Sequence, residues 1–135
     1  MRIMLDTNIL ISAFVFRSKI MDEVIEIILT EHKLILSSFV VDELKRVISK
    51  KFENKSRALD EFLTAIPYEL VYTPETMDET LFEIRDNMDY PVLYTAIIED
   101  VDILITGDKD FLDVEIEKPE ILTPAQFTER YIINK

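Results

Sequence analysis

The sequence of 135 residues has no cysteine, no tryptophan, one glycine and one histidine. Without cysteine there is no disulfide framework, no thiolate metal site and no sulfur nucleophile. A cytoplasmic setting is the one that fits. A single glycine also leaves no glycine-rich phosphate loop. No apolar run is long enough to span a bilayer, because Glu or Lys interrupts each within a few residues. Arg2 stands near the start, but Asp6 follows and no cleavage-like signal comes after it. Basic residues are scarce as well: 15 Lys and Arg against 27 Asp and Glu give a net charge of −12. Nucleic-acid binders ordinarily carry a basic footprint, so this balance argues against tight non-specific binding of polyanions. A phosphate substrate bridged by a cation is not excluded.

What is present is enough to fold. The chain is 48% apolar, with eight phenylalanines, which argues against disorder. One domain over residues 1–135 is expected, long enough to bury a core.

Short apolar runs alternate with helical patterns. Ile3-Met4-Leu5 is an unbroken apolar run ended by Asp6, as expected for a strand buried on both faces. Helices are expected over Ile9–Phe16 and Lys19–Glu31, then a strand over Lys33–Leu36. Ser37 or Ser38 can cap the helix from Phe39 to about Lys51. A helix over Asn54–Ile66 stops at Pro67, and Glu69–Tyr72 reads as a third strand. Thr73-Pro74 supplies a cap and an N1 proline for a helix to about Arg85. After the polar turn Asp86–Asp89 come a helix over Tyr90–Glu99 and a strand over Asp102–Thr106. Ile121-Leu122 suggests a fifth strand, and Thr123-Pro124-Ala125-Gln126 opens a final helix with a capping box. The alternation predicts an α/β fold: a parallel sheet of four to five short strands covered by helices on both faces.

Acidic residues follow these elements in a pattern. Asp6 ends the first strand, at the edge where open α/β sheets bind ligands. On its own, Asp-Thr-Asn serves equally well as a helix cap. In the helix after the second strand, steps of about 100° per residue put Val40, Val41, Leu44, Val47 and Ile48 on one face. Glu43 borders that face and Asp42 points away from it. A solvated surface residue is the plainer alternative for Glu43, as an N-cap is for Asp89 and a turn residue for Asp86. Asp108 follows the fourth strand beside Gly107, with Asp110 two residues on; glycine there permits a sharp turn or close backbone approach. Converging carboxylates repel unless protons or cations offset them. Hard Mg²⁺ or Mn²⁺ favours such oxygen ligands, and metals roughly 3.5–4 Å apart can stabilise both the attacking water and the leaving oxygen of a phosphodiester. His32, at a helix end, is expected to be solvated or to act as a C-terminal cap.

Four blocks then resemble those of PIN domains, especially the toxin components of toxin–antitoxin pairs. They are Ile3–Ala13, Ser37–Leu44, Asp86–Ala96 and Thr106–Phe111. They occur in order and span most of the chain, from Ile3 to Phe111. The resemblance implies a three-layer α/β/α sandwich and an endoribonuclease that hydrolyses phosphodiesters with metal-activated water, leaving a 5′-phosphate and a 3′-hydroxyl. By position it implies Asp6, Glu43, Asp89 and Asp108 as the metal-binding and catalytic quartet. Asn8 would orient Asp6, Thr106 would contact bound water or phosphate, and Asp110 and Asp86 would be secondary acids. One departure concerns Asp86, which Asn87 follows where the family commonly has proline. The partners implied are RNA and an antitoxin protein. Apolar helix surface left over suggests a homodimer. A non-catalytic PIN-like module that binds RNA or protein is the alternative. A phosphatase or phosphate-accepting domain ranks lower, because the one available lysine, Lys109, is flanked by acids.

Overall fold

The structure is a computed structural model and describes residues 1–132. Five parallel strands form one sheet in the order β3-β2-β1-β4-β5. They are β1 (Arg2–Leu5), β2 (Lys33–Ser37), β3 (Glu69–Val71), β4 (Ile103–Ile105) and β5 (Glu120–Leu122). Neighbouring strand residues point to opposite faces. Ile3, Met4 and Leu5 are nevertheless all buried, as are Leu34–Leu36 and Ile103–Ile105. Both faces are therefore covered by helix, as the unbroken apolar runs required. The fold is an α/β/α sandwich.

Among the described residues five α-helices lie between the strands, α1 (Thr7–Phe14), α2 (Lys19–Glu31), α3 (Ser38–Lys51), α4 (Ser56–Ala65) and α5 (Tyr90–Ile98), and α6 (Pro124–Ile132) follows β5. Asp6 caps α1 and Ser37 caps α3, each accepting a hydrogen bond from the backbone N–H three residues on. Ser38 is then free for another task and accepts the Thr73 N–H at 2.9 Å. The capping box at α6 forms in both directions between Thr123 and Gln126.

One expected element is absent. Residues 72–89 form no helix, despite the start signal at Thr73-Pro74. The Thr73 hydroxyl accepts a hydrogen bond from Thr95 at 2.8 Å. Asp78 takes the Thr80 N–H on its own carboxylate, and its backbone oxygen accepts from the Tyr90 hydroxyl. Side chains thus supply the partners a helix would have supplied to itself. Phe82 anchors the loop, buried and stacked on Tyr90 at 4.2 Å between ring centroids.

Gly107 also departs from expectation. Its φ is not positive, and a Cβ placed on it would have nothing within 4 Å. Neither a turn nor a close approach demands glycine there.

Sheet order places the site. From β1 the chain moves to β2 and β3 on one side, then returns to β4 on the other. The crevice at such a reversal, beyond the carboxyl ends of β1 and β4, is where α/β sheets take ligands. Asp6 and Thr106 are the first residues past those two strands, and the Asp6 N–H donates to Ile105 O at 3.3 Å.

Because Phe82 is the loop's buried anchor in the core, Phe82→Ala should cost about 3 kcal/mol in urea unfolding. Hydrogen exchange should speed up over residues 73–88 well before it does in β1 and β4.

Candidate metal centre

Asp6 is held from two sides. One carboxylate oxygen caps α1 by accepting from Ile9 N–H at 3.1 Å, and the other accepts the Thr106 hydroxyl. Helix capping and a place in the acidic crevice are therefore compatible. Only 5% of Asp6 is exposed. Burial pushes its carboxyl up to about 6, against the pull of those two hydrogen bonds, with help from Asp108 and Glu43. Thr106 itself is buried and turns its oxygen toward the Asp108 N–H at 3.0 Å. One threonine thus links the ends of β1 and β4 to the loop beyond.

Glu43 borders the buried face of α3 and is partly buried, whereas Asp42 is exposed. Its carboxylate accepts the hydroxyl of Thr7, a buried residue at the start of α1. Asn8 does not orient Asp6: it is exposed, and Ile9 and Thr106 do that work. Thr7 is the functional neighbour that sequence reasoning missed. Its place on the helix face turned toward α3 was the available signal.

Asp89 begins α5, but its side chain makes no capping hydrogen bond. Its Oδ2 is buried with no donor in reach. Burial comes first among the causes that push its carboxyl up to about 7, followed by a facing Asp108 and by Asp86 and Asp110. Two facing carboxyls can hydrogen-bond only when one keeps a proton. Asp108 in turn accepts the Asp110 N–H at 2.9 Å.

Among the described residues, one group of three acids has oxygens within 4.8 Å of one another: Asp86, Asp89 and Asp110. The expected quartet does not close into one such group. Asp6 interacts electrostatically with both Glu43 and Asp108, and Asp108 also faces Asp89. These contacts link the six acids in a row, from Glu43 through Asp6, Asp108 and Asp89 to Asp86 and Asp110. Asp86 and Asp110, secondary in the sequence, belong to the tightest part of it. Asp86 is exposed and also accepts the Met88 N–H.

His32 takes no part. It closes α2 through its backbone N–H to Ile28 O, and its ring packs against Phe127 and Tyr131. It precedes β2, at the sheet edge opposite the crevice.

This row fits a hard divalent cation. Its ligands are all carboxylate oxygens, and the buried Asp89 Oδ2 lacks the donor that such an atom needs. A sequence profile of the PIN domain matches residues 2–110. The chain belongs to the PIN domain family. Its fold also matches one chain of the crystal structure of VapBC2 from Rickettsia felis bound to a DNA fragment from their promoter. That match has a TM-score of 0.70 at 24% identity and covers 91% of this chain and 98% of that one. No curated protein matches the sequence. In this PIN domain the acids run along the crevice where the sheet order reverses.

Burial of these acids, with repulsion from their neighbours, has a measurable consequence. Asp6 and Asp89 bind their protons more tightly folded than unfolded, since their carboxyls rise to about 6 and about 7. Their stabilising contribution is complete below the ordinary aspartate range and is lost as pH rises through those values. The metal-free protein should therefore melt higher near pH 5 than near pH 8, and Asp89→Asn should flatten part of that fall. Melting that rises with pH over this interval would contradict the burial of both groups.

Proposed function

We propose that this PIN domain is a Mg²⁺- or Mn²⁺-dependent endoribonuclease acting in the cytoplasm as the toxin of a toxin–antitoxin pair. The buried, donor-less Asp89 Oδ2 within the acidic row carries this reading. A protein that merely bound a partner would gain nothing from keeping several carboxylates together at such electrostatic cost. Likeness to a chain of the VapBC2 complex supports a toxin–antitoxin setting. The proposed partners are an RNA substrate, an antitoxin protein and a second copy of the chain. The last rests on apolar helix-end surface such as Phe16, which is left exposed.

Asp86, Asp89 and Asp110 would hold a cation at one end of the row, and Asp6, Glu43 and Asp108 would complete that site or a second one. When bound, the cation supplies Lewis-acid activation of water and neutralises charge on the phosphate. The chain's own residues aim the ligands. Thr106 fixes Asp6 and the Asp108 loop together, and Thr7 turns Glu43 toward the crevice. Each hydroxyl takes up one lone pair of its carboxylate, and a carboxylate has others with which to meet a cation. Hydrolysis at the P–O3′ bond would put the water's OH on phosphorus and its other proton on the departing O3′, leaving a 5′-phosphate and a 3′-hydroxyl. The row also repels RNA until a cation neutralises it, so substrate and cation should bind together.

Two variants test the chemistry. Asp6→Asn and Asp89→Asn should each lower Mn²⁺-dependent cleavage of single-stranded RNA by at least about a hundredfold, while circular dichroism stays native. Retained activity in purified Asp6→Asn would refute the assignment. Separately, Mn²⁺ at about 100 times its Kd should stabilise the wild type by about 2.7 kcal/mol. A protein neither stabilised by Mn²⁺ nor able to cut RNA would be the binding module instead.

A further inference from the structure

A guanidinium stands at each end of the acidic row. Arg46 lies 3.7 Å from Glu43 Oε2, one turn further along α3. Arg85, on the loop between β3 and α5, lies 3.6 Å from Asp110 Oδ1. Both distances exceed the roughly 2.7–2.9 Å of a charge-assisted hydrogen bond, which Arg2 does reach at 2.9 Å from Glu69. Their side chains are 66% and 87% exposed. Pairs this open contribute little to stability. Each guanidinium therefore stays at its end of the row with its planar fork of donors largely unspent.

We propose that Arg46 and Arg85 bind the backbone phosphates of a single RNA strand laid along the row, Arg85 beside its cation-binding end and Arg46 at the other. This rests on the ribonuclease reading of the same crevice. A strand following the row must pass six carboxylates in a chain of net charge −12. A cation held by Asp86, Asp89 and Asp110 offsets charge at that end of the row only, so phosphates beyond it need cations of their own. A phosphodiester offers two anionic oxygens, which suits the guanidinium fork better than the single carboxylate oxygen each arginine now faces. Glu43 and Asp110 hold the two arginines at the rim, on the side where the strand would enter and leave.

Fluorescence anisotropy of a labelled single-stranded RNA oligonucleotide in Ca²⁺, repeated over a salt series, tests this, with the intactness of the RNA checked on a gel. Arg46→Ala and Arg85→Ala should each weaken binding about tenfold and lower the slope of log affinity against log salt by about 0.7. Arg85→Lys should keep the slope, since the charge remains. Arg57→Ala, which removes an exposed arginine paired with Glu61 on α4, should change neither quantity. Melting temperatures close to wild type in all four variants exclude loss of folding as the cause. Unchanged slopes in both alanine variants would overturn the proposal, as would a wild-type protein that does not bind the RNA. RNA bound through both arginines but never cut in Mn²⁺ would support it and refute the nuclease reading alone.

Discussion

The Thr106 hydroxyl, donating to Asp6 and accepting from the Asp108 N–H, joins the parts of the molecule that matter for function. It ties the end of β4 to the end of β1, across the point where the sheet order reverses. Asp6 lies one residue past β1, Thr106 one past β4 and Asp108 three past it, so the sheet's register decides that these groups meet. Glu43 then joins through Thr7, and Asp89 through Asp108. A buried parallel sheet thereby carries a line of acids, with Arg46 paired to Glu43 and Arg85 to Asp110.

That line is costly by itself. Asp6 and Asp89 are both driven toward their protonated forms, chiefly by burial and also by neighbouring acids. The surrounding hydrophobic core supplies the stability that tolerates this. Functional sites commonly hold such strain, because groups poised for chemistry are unfavourable in the resting fold. Arg46 and Arg85 relieve the ends of the row without closing its centre.

Much of this was legible in the residues. Ile3–Leu5, Leu34–Leu36 and Ile103–Ile105 announce buried strands, because only a sheet covered on both faces keeps consecutive apolar residues dry. The helical stripe around Leu44 distinguished Glu43 from Asp42. Other signals misled. Thr73-Pro74 has the chemistry of a helix start, but Ser38 and Thr95 claim that threonine and no helix follows. Gly107 is the chain's one glycine, yet its backbone adopts nothing that another residue could not. Asn8 stands beside Asp6 in sequence, but the helix turns it to solvent.

By itself, then, the order of apolar runs and acids determined the fold class, the family blocks and the set of carboxylates worth considering. Those are properties of local periodicity and of residue type, and the chain states them directly. Which acids stand closest was a matter for the tertiary structure. Asp86 and Asp110 are 24 positions apart, and only the packing of the β3–α5 loop against the end of β4 brings both to Asp89. Distances across elements depend on strand order and on side-chain partners far along the chain, and no local pattern encodes them.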